Sequence, residues 1–320
     1  MEHYPSYLES YQNKKLAKAI ETLSAMLASC EICPRRCKAN RMKGASGFCK
    51  TGCAARVYNF MPHHGEEPPL SGKRGSGTIF FAGCTMACAY CQNFEFSQLK
   101  NGREVEEEEL AGYMLTLQKQ GCHNINLVSP THVLPQILMA LSLAIPRGLA
   151  IPLVYNTGGY ELPEILKLLD GIVDIYLPDS RYGDAAFAAR FSNAPDYVEH
   201  NQAALIEMHR QTGIPQFDGK GIILRGVIIR HLVLPHQVSG TERIMEFIAA
   251  KLSPESYISL MSQYLPCYKA DQHKELSRRI TYREYAAAQK ILEKYGLHNG
   301  WTQEARGLSR LAGIHIKPMR

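Results

Sequence analysis

The stretch Thr78–Cys91, TIFFAGCTMACAYC, sets a short apolar run directly against three cysteines. The run Thr78–Ala82 has no polar alternation, which suits a strand buried on both faces of a parallel sheet. Gly83 then breaks it, and Cys84, Cys88 and Cys91 follow within eight residues. In parallel α/β folds the chemistry collects at the C-terminal ends of strands, where these cysteines stand. Thiolates are the usual ligands of a 4Fe–4S cluster, and a full protein set is four. Three can wrap a cube and leave one iron open, much as a catalytic zinc keeps a vacant position for substrate. Zinc is the alternative reading. Tetrahedral zinc favours paired C-x2-C knuckles and a fourth ligand, so the C-x3-C-x2-C run points to iron.

Outward from this stretch the pattern repeats. Apolar runs recur at Asn124–Val128, Pro152–Tyr155, Ile172–Leu177, Gly221–Leu234 and Tyr257–Met261, the fifth long enough to hold a bend. Helical spacing lies between them at 105–119, 132–143, 161–169, 197–212 and 240–252. Six strand–helix units in succession predict an α/β repeat, an open or closed barrel. Polar groups follow most runs: Ser129 and Thr131, Asn156, Asp179 and Arg181, with Arg230 inside the fifth. A last helix at 281–295 ends at Gly296, a suitable C′ residue. Upstream, residues 7–29 show helical spacing through Leu8, Leu16, Ile20, Leu23, Met26 and Leu27.

Ten cysteines need a reason, and eight fall between Cys30 and Cys91. The first group is Cys30, Cys33, Cys37 and Cys49, with Cys53 extra. It sits in a Gly- and Pro-rich segment with little periodicity, which reads as a metal-stapled cap. Such spacing can close a zinc site or hold a second, fully ligated 4Fe–4S cluster, and His63 is a further candidate ligand. Cys122 and Cys267 stand alone, as inert apolar cysteines do. Charged and polar residues from Glu2 to Lys18 leave no apolar core for a signal peptide. The most apolar stretch, Val133–Tyr155, is broken by Pro135, Pro146, Arg147 and Pro152. A cytoplasmic protein with no membrane span is expected, and reduced thiols there favour metal ligation over disulfides. The formal charge of +6 includes no basic run long enough for a nucleic-acid arm.

The C-x3-C-x2-C motif, with Tyr90 before its last cysteine, resembles that of the radical S-adenosylmethionine (SAM) superfamily. Glu66-Glu67-Pro68, Gly75–Cys84, Cys91-Gln92-Asn93, Asn124–His132 and Asp174–Asp179 narrow the resemblance. They are similar to an uncharacterised branch related to pyruvate formate-lyase activating enzyme, over roughly residues 28 to 305. The resemblance implies a partial (β/α)6 TIM-like barrel with an N-terminal Cys-rich metal-binding cap and a C-terminal helical extension. The divisions expected are 1–29 for the N-terminal helix, 30–77 for the cap, 78–265 for the barrel and 266–320 for the extension.

The resemblance also implies an activity. The open iron of the cluster on Cys84, Cys88 and Cys91 would be chelated by SAM. An electron from flavodoxin or ferredoxin would then yield a 5′-deoxyadenosyl radical for hydrogen-atom abstraction. The substrate would be a glycine of a partner enzyme or, as the alternative, another peptide or small molecule. Tyr90 is expected against the adenine, and Ser129 and Thr131 where relatives place a Gly-Gly-Glu motif for the methionine amino group. Asn156 matches a cofactor-contacting aspartate, Asp179 and Arg181 an Asp-x-Lys pair, and Arg230 an arginine of the fifth strand. Two positions depart from the pattern: Arg181 replaces a lysine, and His236 stands where glycine is usual. A protein of another class, an iron–sulfur or zinc electron carrier or sensor, would share the cysteines but leave the polar strand ends unexplained.

Overall fold

The structure, a computed structural model, describes residues 5–303 and 316–318. Its strands are β1 (Ala55–His63), β2 (Ser76–Phe81), β3 (Arg103–Val105), β4 (Ile125–Val128), β5 (Leu153–Thr157), β6 (Ile175–Pro178), β7 (Gln216–Phe217), β8 (Ile223–Leu232), β9 (Tyr257–Met261), β10 (Asn299–Gln303) and β11 (Ile316–Pro318). They form one curved sheet in the order β11-β10-β9-β8-β6-β5-β4-β2-β1-β3, with β7 paired to β8. Along that order from β2 to β10 every neighbour is parallel, and the short β7 pairs antiparallel with β8. The antiparallel β1, β3 and β11 lie at the two ends. Each of the six apolar runs is a parallel strand, and together they form the partial TIM-like barrel that the resemblance implies.

The helices are α1 (Tyr7–Gln12), α2 (Lys15–Ala25), α3 (Pro68–Ser71), α4 (Phe94–Ser97), α5 (Glu107–Lys119), α6 (Leu134–Ala144), α7 (Pro163–Leu166), α8 (Ala185–Ser192), α9 (Tyr197–Thr212), α10 (Thr241–Phe247) and α11 (Tyr282–Lys294). The larger core lies between this outer layer and the sheet, through side chains such as Leu110, Leu141, Leu205 and Leu292. Each such leucine contributes about 1.5–3 kcal/mol by leaving water.

A second, smaller core fills the barrel itself. Strand side chains alternate between the two sides, so Val154, Ile175, Leu177 and Ile228 point into the lumen with Trp301 and Leu70. Leu70 belongs to α3, so the chain before β2 runs beneath the barrel and plugs its lower end. The Asn124 amide donates to the Leu70 carbonyl at 3.0 Å and holds that plug. Above it the same alternation turns polar, at Asn126, Asn156, Asp179, Arg230, Ser259 and Gln303.

Several elements differ from the sequence expectation. Residues 7–29 form two helices, broken where Lys14 takes φ 65°. α1 caps the lower rim: the Ser6 hydroxyl donates to Asp174 at 2.6 Å and Ser10 to the Gly171 carbonyl at 2.6 Å. The segment 30–77 is irregular only in its first half. β1 extends the sheet beside β2, with seven of its nine residues partly or fully exposed, so alternation there is weak. β10 is a seventh parallel strand; Trp301 is its one large apolar residue among Asn299, Gly300, Thr302 and Gln303, which hides it. α8 was also unforeseen. Part of the expected 266–320 extension lies outside the described residues, as do residues 1–4.

Candidate active site

The three cysteines follow β2 at the upper rim. Gly83, at φ +90°, makes the turn, and a Cβ there would stand 2.7 Å from the Cys49 carbonyl. The close approach locks the cap onto the cysteine loop. Burial pushes the Cys84 thiol up to about 12 and Cys91 to about 11, with the neighbouring cysteines adding to the rise. Buried thiols of this kind ionise only when positive charge compensates them, which a metal supplies. Donors already face the sulfurs. The Met86 N–H points at Cys84 Sγ (3.4 Å), and Ser97 Oγ lies 3.1 Å from Cys91 Sγ. Cys88 Sγ receives Arg181 Nη1 at 2.9 Å and the Ser192 hydroxyl at 3.0 Å. Among the described residues no three His, Cys, Asp or Glu side chains gather about one point as a single ion requires. The thiolates of a cube bind separate irons and need no such convergence. The residues present therefore fit a cluster bound through Cys84, Cys88 and Cys91.

A cavity of about 260 Å³ opens from this loop into the lumen. Tyr90, Cys91, Ser129, Asn156, Asp179, Arg181 and Arg230 all line it. One ion-pair chain joins most of them. Asp179 accepts from Arg230 Nε (2.9 Å) on one oxygen and from Arg181 Nε (3.0 Å) and Nη2 (2.7 Å) on the other. Arg230 Nη2 also donates to Asn156 at 2.6 Å. Burial works to raise the Asp179 carboxyl, but the two guanidiniums outweigh it and hold the group below the usual range. Tyr90 is buried, with edge contacts to Tyr182 and Tyr264, and burial drives its hydroxyl far up, so it stays neutral.

The structure does not bring Thr131 to this cavity. Its hydroxyl donates to Glu161 at 2.6 Å, in a buried group with Thr157 and Tyr155 behind the strand ends. Ser129 does face the cavity, and its φ of +57° is the backbone setting a glycine would favour. His236 likewise has φ 55°, which accounts for glycine being usual there. His63 lies at the far end of β1, lining the cavity 3.9 Å from Glu66 and away from the cap cysteines.

Glu66 and Glu67 were quoted for their resemblance without a role, and the structure places both in the cavity wall. Glu66 accepts from Asn126 Nδ2 (3.1 Å) and Arg230 Nη1 (3.3 Å). Burial raises both carboxyls. Gln303 and Ser259 also line the cavity and were missed. The signal for the glutamates was weak, since acidic residues before a proline more often mark a turn. Cys267 is not idle either: its thiol donates to the Tyr90 carbonyl at 3.4 Å.

The cap packs over the upper rim beside the cysteine loop. Arg35 donates to the Thr85 carbonyl at 2.9 Å and sits over the Phe48 and Tyr160 rings. Arg41 reaches the carbonyls of Gly52 (2.9 Å) and His132 (2.8 Å). Cys30 and Cys33 are buried, and burial pushes the Cys33 thiol far up, with Cys49 and Cys30 near enough to add to it. Cys37 packs its sulfur against Gly47, while Cys53 turns to Met42.

Known proteins resemble this chain in sequence or in fold. A sequence model of the radical SAM superfamily matches residues 78–216, the stretch from β2 to β7. An uncharacterized protein of Methanocaldococcus jannaschii is 31% identical over 303 residues, covering 91% of this chain and 82% of that one. Among solved structures, HydG, a maturase of the FeFe-hydrogenase, is similar with a TM-score of 0.42 and 10% identity. That likeness covers 69% of this chain and 49% of HydG, so the chain spans about half of HydG's length. A strand-end trio of buried thiols on a partial barrel defines a class of iron–sulfur enzymes. The chain carries a radical SAM domain over residues 78–216 and belongs to one family with the M. jannaschii protein. Membership implies a 4Fe–4S cluster and SAM. Among the described residues no helix is long and apolar enough to cross a membrane.

Proposed function

We propose that the chain abstracts a hydrogen atom from a charged small molecule or peptide side chain held in the barrel lumen. The observation that carries this reading is the single cavity joining Cys91 to polar side chains of β5, β6, β8 and β9. When bound, the cluster supplies the electron that cleaves SAM into methionine and the 5′-deoxyadenosyl radical, the hydrogen acceptor. The chain's part is to bind, orient and exclude water. Cys84, Cys88 and Cys91 would hold the cluster, while Tyr90 and Ser129 stand nearest for SAM. Asp179, Arg181 and Arg230 form a braced wall whose side chains need no reorganisation when a ligand arrives. α3 fills the lower lumen among the described residues, which leaves the upper rim for access.

The related reading, activation of a partner enzyme at a glycine as in pyruvate formate-lyase activating enzyme, shares every step at the cysteines. A lumen lined by three carboxylates and two guanidiniums favours a charged substrate over a bare glycine backbone. The cap cysteines are proposed to hold a metal centre of their own, a second 4Fe–4S cluster, whose thiolates need not converge on one point as those of a zinc ion would. Flavodoxin or ferredoxin is the proposed donor. A second pocket of about 240 Å³ supports this, since Lys50 and Lys100 line it with Gly83, the residue before Cys84, while Arg56 there is paired with Glu104. Such a basic surface suits an acidic carrier.

The test is incubation of anaerobically reconstituted, dithionite-reduced protein with SAM. Methionine and 5′-deoxyadenosine should form in the wild type and not in Cys88→Ala. Their absence from a fully loaded wild type rejects the proposal.

A further inference from the structure

Glu67 lies on the cavity wall and is 3% exposed. Its Oε2 has no hydrogen-bond partner among the described residues. Both arginines of the cavity are already engaged. Arg230 is spread over Asp179, Asn156 and Glu66, and Arg181 over Asp179 and Cys88. Three carboxylates thus share two guanidiniums: Arg230 attracts Glu67 as well, and Ser259 bonds the Glu67 side chain, which leaves Oε2 as the oxygen to spare. Beside Glu66, Asn126 Oδ1 is a second buried acceptor without a donor. A buried carboxylate oxygen left unpaired is costly, and a ligand that supplies a charged donor recovers that cost. An ammonium brings three N–H donors and the missing positive charge together.

We propose that Glu67 is the seat of a positively charged group, an ammonium or a similar cation, on a molecule that the lumen binds. The inference rests on the reading of the cavity as the substrate site and adds the chemistry of the substrate. SAM itself carries an ammonium and a sulfonium, so two sources share this chemistry, and the experiment separates them.

The probes are n-propylammonium chloride and its neutral counterpart n-propanol, followed by ligand-observed NMR on the reconstituted protein; SAM is titrated separately. Propylammonium should bind the wild type about tenfold tighter than propanol. Glu67→Gln should remove that preference, and Glu67→Asp should keep most of it. SAM affinity unchanged in Glu67→Gln assigns the cation to the substrate. A parallel tenfold loss of SAM affinity assigns it to the cofactor, and the cation site stands. Propylammonium binding the wild type no better than propanol, with SAM affinity unmoved in Glu67→Gln, overturns the proposal. The wild-type comparison needs no variant to fold. Failure of the proposed function reads out separately, as absent 5′-deoxyadenosine.

Discussion

At position 181 a lysine could satisfy Asp179 or Cys88, but hardly both. The guanidinium sends Nε and Nη2 to the carboxylate and Nη1 to the sulfur, a division that its planar fork permits and an ammonium does not. The departure from the Asp-x-Lys pattern therefore has a structural use. Hydrogen bonds to cluster sulfurs raise the reduction potential, and a charged donor does so more than a neutral one. Arg181→Met should lower the midpoint potential of the cluster, and Ser192→Ala should lower it less. Redox titration followed by electron paramagnetic resonance reads both; an unmoved potential in Arg181→Met means that the contact is not made to a cluster thiolate.

Among the elements, α1 and β10 carry the clearest consequences. Asp174, at the start of β6, takes the Ser6 hydroxyl and is fully buried. Burial lifts its carboxyl from 3.8 to about 6, against the opposing pull of Ser6 and Arg225. The folded state then holds a proton that the unfolded state releases between about pH 4 and 6. Its contribution is present below that window and lost as pH rises through it, by about 3 kcal/mol. Wild-type stability should fall relative to Asp174→Asn across the window in urea titrations, and parallel curves would contradict the assignment. Trp301 fills the lumen between Tyr257 and the floor, so Trp301→Ala should cost about 3–5 kcal/mol in the same assay.

The two elements also mark how far the sequence was legible. Six strands could be read because parallel strands, buried on both faces, are continuous apolar runs. β1 and β10 could not, because each shows a face to solvent or carries polar lumen residues. The cysteine loop, Asn156, Asp179, Arg181 and Arg230 could be placed because they follow strand ends. Glu66 and Glu67 could not, because they follow β1, a strand without a readable apolar run, and enter the lumen from below. Thr131 looked equivalent to Ser129, but two residues further along its loop it faces the Glu161 group instead.

Across the whole molecule the cap, the basic pocket and the cysteine loop meet at one corner of the upper rim. Electron entry there needs no path through the barrel. Charge reversal at Lys50 and Lys100 should slow reduction by an acidic flavodoxin or ferredoxin and flatten its salt dependence, since steering between opposite charges is screened. Stopped-flow reduction at two ionic strengths measures this, with dithionite reduction unchanged as the control. Equal rates and equal salt slopes in the variant would move the docking site elsewhere.

The account stands on three thiols at the end of β2 holding four irons with one position left for SAM. The most direct measurement is iron and sulfide analysis with electron paramagnetic resonance of the reduced protein, before and after SAM, in the wild type and in the Cys84→Ala/Cys88→Ala/Cys91→Ala variant. The prediction is a wild-type signal that shifts on adding SAM, and a loss of about four irons in the variant with the cap metal retained. A wild-type spectrum indifferent to SAM, or an iron content unchanged by removing the three thiols, would contradict it.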